Sequence, residues 1–189
     1  MHPAEDLSSE ADVEAELVGE AALASVREVE LYPAIRDTLE TFWAKERQIG
    51  PLAMEITAAQ GRRITGGRWT RPDLVSVAVR TYCYLPGKYM EVVTFEVKPF
   101  DAIDVTAVYE ALAHLRSATH AYVIFHVPAD QEEAVRVTID EACRVGRSHG
   151  VRVIKMSDPC DWDTWEELEE AHRVEPDPQR LDEFISGTN

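Results

Sequence analysis

Two rhythms of apolar residues divide the chain. Leu31, Ile35, Leu39, Phe42 and Trp43 recur at the three-to-four spacing of one helix face. Pro33 is placed like a first-turn proline, and the helix is expected to end before Gly50–Pro51. The period then shortens towards two. Leu52–Ala59, Asp73–Tyr82 and Met90–Val97 read as strands, the first being the weakest because it contains Ala, Met and Glu. In the second, Leu74, Ser76, Ala78 and Arg80 share one face, while Val75, Val77 and Val79 share the other. Gly or Pro marks both linkers, Gly61–Thr70 and Leu85–Lys88.

Helical spacing returns over Val105–Ser117, with Asp104 or Thr106 as its cap. A buried strand is predicted over Ala121–Val127, an amphipathic helix over Gln131–Ser148 closing at Gly150, and a short strand over Val151–Met156. Acidic helices are expected over Trp162–His172 and Pro178–Ser186. A meander followed by β-α-β-α-β gives an α/β fold with a mixed central sheet flanked by helices. The expected organisation is an acidic arm over residues 1–27, a core over 28–157 and an acidic helical appendage over 158–189.

Charge separates these parts further. Of the net −16, residues 1–30 hold nine acids and one base, and residues 158–189 hold eleven acids and two bases. Residues 31–157 are left near neutrality, with 15 acids against 16 bases. A nucleic-acid ligand is therefore admissible on the core, although the chain is no general polyanion binder. No apolar run reaches the length of a membrane span, and no signal peptide is visible. Cys83, Cys143 and Cys160 are odd in number and lack CxxC spacing, which suits idle thiols and a cytoplasmic setting.

The pattern that carries chemistry is Pro72–Asp73 followed by Glu96-Val97-Lys98. Residues two apart on a strand point to the same side, so the Glu96 carboxylate and Lys98 ammonium project together. Asp73, on a neighbouring strand, can face them. Two carboxylates with the Val97 backbone carbonyl form an all-oxygen half-shell suited to Mg²⁺ or Mn²⁺. Such an ion neutralises charge developing on a phosphoryl group and acidifies a bound water. Lys98 can orient that water, stabilise the transition state or, with a depressed pKa, act as a base. The competing interpretation makes Asp73 a strand cap and Glu96–Lys98 a surface charge pair.

With its strand placement and the α-β-α-β that follows, this motif resembles the PD-(D/E)XK nuclease superfamily, over roughly residues 28–157. Glu30-Leu31-Tyr32-Pro33 and His149-Gly150-Val151 are also similar to segments of small prokaryotic members. The resemblance implies a restriction-endonuclease-like αβββαβαβ core and metal-dependent phosphodiester cleavage, with DNA the expected substrate rather than RNA. Asp73 and Glu96 would be metal ligands and Lys98 the catalytic lysine. Many members add a first-helix carboxylate, for which Glu28, Glu30 and Glu40 compete and Glu28 is favoured. The Gln-xxx-Tyr pattern of RecB-like members has no counterpart near Tyr109 and His114.

Arg62, Arg63, Arg68 and Arg71, interleaved with Trp69, form a candidate phosphate-gripping loop with an aromatic for base stacking. The alternative is a solvated loop whose Trp packs on the body. His114, His120 and His126 stand outside any zinc-site spacing. The expected function is a Mg²⁺- or Mn²⁺-dependent nuclease. The alternative is a catalytically silent nuclease-fold protein that binds a partner or nucleic acid. A homodimer, or a basic protein docked on the acidic ends, completes the partner expectations.

Overall fold

The first helix starts earlier than its proline suggests. α1 spans Glu28–Thr38, which leaves Pro33 inside the helix rather than in its first turn. The missing N–H affects only the Val29 carbonyl, and both residues lie on the exposed side, where solvent replaces the bond. A π-helical stretch over Leu39–Trp43 follows, then the short α2 over Ala44–Glu46. The side chains of Leu39, Trp43 and Ala44 are all buried. Trp43 meets Phe95 and Tyr122 edge-on, at centroid distances of 5.3 and 5.8 Å. This computed structural model describes residues 27–58, 71–170 and 172–186.

The meander is formed by β1 (Pro51–Ile56), β2 (Leu74–Arg80) and β3 (Tyr89–Pro99), paired antiparallel in sequence order. α3 (Thr106–His114) leads to β4 (His120–His126), and α4 (Glu132–His149) to β5 (Arg152–Met156). Both β3–β4 and β4–β5 are parallel, as helical crossovers require. Of the two capping candidates for α3, Asp104 is used: its carboxylate accepts the N–H groups of Thr106 and Ala107 at 2.7 and 3.3 Å. Gly150 ends α4 in the left-handed region, at φ 70°.

The strand parity read from the sequence holds. Leu74, Val93, Phe95, Val97, Ile124 and Ile154 share one face with α1. Ala121, Val123, Phe125 and Val153 meet α3 and α4 on the other. α5 (Pro178–Ser186) lays Leu181, Phe184 and Ile185 against Val75 and Val92.

The helix expected over Trp162–His172 does not form. That segment is a 3₁₀ turn (Trp162–Thr164), then the two-residue strand β6 (Glu166–Glu167), antiparallel to β5, with Leu168–Glu170 in no helix. Tertiary pairing overrides the local pattern. Glu167 lies against Arg47 and Arg152, Glu166 against Lys155, and Trp162 and Trp165 pack on the α1 side. The sheet is thus six-stranded in the order β1-β2-β3-β4-β5-β6. Among the described residues, no helix is long and apolar enough to cross a membrane.

The acidic stretch over residues 1–26 and the loop residues Arg62, Arg63, Arg68 and Trp69 lie outside the described residues.

Candidate active site

Asp73 is fixed before its side chain is considered. Its N–H donates to the Phe95 carbonyl at 3.0 Å, and its own carbonyl accepts from Thr57 and Ala58 at 2.8 and 3.2 Å. Pro72 has no N–H to satisfy, and its carbonyl accepts the Thr57 hydroxyl at 2.5 Å. The Asp73 carboxylate then accepts the Val97 N–H on Oδ2 and the Tyr32 hydroxyl on Oδ1, both at 2.8 Å. One aspartate therefore joins β2, β3 and α1.

Glu96 and Lys98 project together from the end of β3. Lys98 Nζ lies 2.7 Å from Glu96 Oε1, 3.0 Å from Glu110 Oε2 on α3 and 3.8 Å from Glu28 Oε2 on α1. Helices from the two faces of the sheet thus converge at one end of it. Glu28 also accepts from the Tyr32 hydroxyl, one helical turn along.

The charge balance at this end is uneven. Glu28, Asp73, Glu96 and Glu110 surround one lysine. Asp73 and Glu96 are each only 7% exposed. Burial raises the Glu96 pKa, and the Asp73 charge raises it further; Lys98 opposes both without overcoming them. Burial likewise lifts Asp73 above the usual carboxylate range, against the Val97 N–H. For Lys98, burial alone would lower the pKa, but Glu96, Glu110 and Glu28 reverse the direction and keep the ammonium charged.

Tyr32 ties two of these carboxylates together: its hydroxyl has one hydrogen and lies within hydrogen-bond reach of both Glu28 and Asp73.

Of the three first-helix candidates, the structure brings Glu28 to the site. Glu30 is exposed and pairs with Arg27, and Glu40 is exposed on the π-helical stretch. Arg71 is half-buried and leads into Pro72. Sequence reasoning missed Tyr32 and Glu110 as site residues. The Glu28/Tyr32 spacing of four was the only available signal for the former. For Glu110 the signal was its place on the helix directly after the E-x-K strand, one turn before the buried His114.

No family model, curated protein or solved structure matches the chain.

The donor set itself can be tested against a metal. Among the described residues, no three His, Cys, Asp or Glu side chains form a ready-made metal group. Asp73 and Glu96 nevertheless offer hard oxygen donors, buried and under-compensated, next to the Val97 backbone. Two protein carboxylates with water and substrate oxygens is the usual provision for Mg²⁺, which keeps much of its hydration. The residues fit a hard divalent cation, since both side-chain donors are carboxylates.

Proposed function

We propose that the chain is a metal-dependent nuclease of restriction-endonuclease-like architecture, hydrolysing phosphodiester bonds in DNA rather than RNA. Asp73 and Glu96 hold Mg²⁺ or Mn²⁺, the Val97 carbonyl supplies a third oxygen, and Glu28 supports the set from α1. The observation that carries this reading is the pair of buried carboxylates, Asp73 and Glu96, with Lys98 held 2.7 Å from Glu96. The meander, the parallel crossovers and the siting of these residues at the end of β3 support the same architecture.

When bound, the ion supplies Lewis-acid stabilisation and an acidified water. The protein's own contributions follow from the geometry. Lys98 lies among three carboxylates that favour its ammonium form, which suits it to act on developing negative charge. Glu110 is a positioning residue, holding Nζ at 3.0 Å from the α3 side. The Val97 N–H and Tyr32 hydroxyl fix the Asp73 carboxylate in one orientation.

The test is incubation of purified protein with single-stranded, duplex and branched DNA and with RNA, each with Mn²⁺, Mg²⁺ or EDTA, beside Lys98→Ala. Cleavage of DNA that needs the ion, and falls at least about a hundredfold in Lys98→Ala, is expected. Cleavage that survives both EDTA and Lys98→Ala would refute the mechanism. Tight nucleic-acid binding without turnover would favour the silent alternative.

A further inference from the structure

At the opposite end of the sheet the charge reverses. A cavity of about 390 Å³ opens on the α1 face, where β2 finishes and β3, β4 and β5 begin. Arg80 is the last residue of β2, His120 the first of β4 and Arg152 the first of β5. Arg47 enters from beyond α2. Arg173 is delivered by the C-terminal segment, which is pinned by the Val174 N–H on the Thr119 carbonyl at 2.9 Å. In a chain of net charge −16, four guanidinium groups line one pocket.

Their carboxylate partners do not balance them. Glu167 is shared between Arg47 and Arg152, Glu91 pairs with Arg80, and Glu175 with Arg173. Arg152 also has a buried Nε without a hydrogen-bond partner. His120 registers the resulting field: burial first, then Arg173, Arg152, Arg80 and Arg47, hold its pKa down. The walls contain flat rings as well. Arg152 lies over Tyr122 at 5.2 Å and Arg47 over Trp43 at 5.4 Å, while Tyr82 is 46% exposed beside the pocket.

We propose that this pocket binds a small phosphomonoester bearing a flat ring, a nucleoside monophosphate being the simplest such ligand. Planar guanidinium forks match phosphate oxygens in pairs, which a compact ammonium does not. The volume lies within the range of small-ligand sites. Tyr82 provides a ring face for stacking, and Glu91, the one acid in the lining, remains bound to Arg80. The inference does not rest on the nuclease reading. Lys98 lies seven residue steps beyond Glu91 on β3, about 23 Å along a strand.

The test is isothermal titration calorimetry of the full chain in EDTA, with adenosine 5′-monophosphate, inorganic phosphate and adenosine as separate ligands. The monophosphate is expected to bind with a submillimolar Kd, phosphate about tenfold more weakly, and adenosine not at all. Arg173→Ala, on an exposed segment, and Arg152→Gln should each weaken the monophosphate about tenfold, while Lys98→Ala should leave it unchanged. Absence of monophosphate binding at millimolar concentration, or binding indifferent to both arginine variants, would overturn the proposal. Equal affinity for phosphate and the monophosphate would overturn the ring contact with Tyr82.

Discussion

Replacing Glu96 with glutamine should stabilise the metal-free protein while removing its response to divalent ions. Glu96 is 7% exposed, and its pKa is pushed up to about 9. In the unfolded chain it ionises near 4.5. A carboxyl group raised in this way stabilises the fold fully below 4.5, and the contribution is lost as pH rises towards 9. At about 1.4 kcal/mol for each pH step between 4.5 and 7, the cost at neutrality is at most about 3.5 kcal/mol. Glutamine keeps the shape without that cost but forfeits the charge contact with Lys98, whose Glu110 partner remains at 3.0 Å. A net gain of about 1–2 kcal/mol follows, or roughly 2–8 °C in Tm for a chain of this size. Scanning calorimetry at pH 6, 7 and 8, in EDTA and in 5–10 mM Mg²⁺ or Mn²⁺ (roughly saturating for a weak site), checks this. In EDTA the gain should grow with pH; in metal the wild type should gain stability and Glu96→Gln should not. A Glu96→Gln variant less stable than wild type at pH 8, or one with an intact metal-induced shift, would refute the reasoning.

Tyr32→Phe removes the hydroxyl shared by Glu28 and Asp73 and should cost about 1–2 kcal/mol in urea denaturation at pH 7; an unchanged midpoint would argue against a stabilising role for that hydroxyl. His114 is buried and held down to about 4, so its contribution is complete above 6.5 and is lost as pH falls towards 4. The stability difference between wild type and His114→Gln should therefore shift by about 2 kcal/mol against wild type between pH 6.5 and 5, read from paired urea titrations. A Cβ added at Gly146 would meet the Val151 carbonyl oxygen at 2.8 Å and Val153 Cγ2 at 3.2 Å. Gly146→Ala should thus lose about 1–3 kcal/mol by thermal melt, with no effect on metal binding.

The five strands β1 to β5 were legible, because apolar residues at period two in β2 and a continuous apolar run in β4 each specify a sheet environment, whereas β6 was not. The C-terminal segment misled for an equally physical reason. Trp162, Trp165 and Leu168 recur every three residues, a spacing that a 3₁₀ turn satisfies as well as an α-helix. What decides between them is distant in sequence: Arg47 and Arg152 draw Glu167 to the edge of β5. The same limit applied to the candidate site. Glu96 and Lys98 lie two apart on one strand, so their common side could be read directly. Tyr32 and Glu110 arrive from helices on opposite faces of the sheet, and their approach is set by the packing of Leu31 and Ile35 on one side and Ala107 and Ala111 on the other. Nothing local encodes that meeting. The arginine pocket was hidden further still, since its residues are scattered from Arg47 to Arg173.

The last part of the chain also bears on when folding can finish. The Thr38 hydroxyl donates to the Pro159 carbonyl at 2.6 Å, and Phe42 stacks on Trp162 at 6.5 Å. A helix made early by the ribosome is therefore completed by a segment made more than a hundred residues later. Until residues 159–167 have left the exit tunnel, Thr38 and Phe42 lack these partners and are available to chaperones. Truncation ahead of Pro159 should reproduce that nascent state permanently, giving a chain that keeps β1 to β5 but lacks β6 and the outer contacts of its first helical segment.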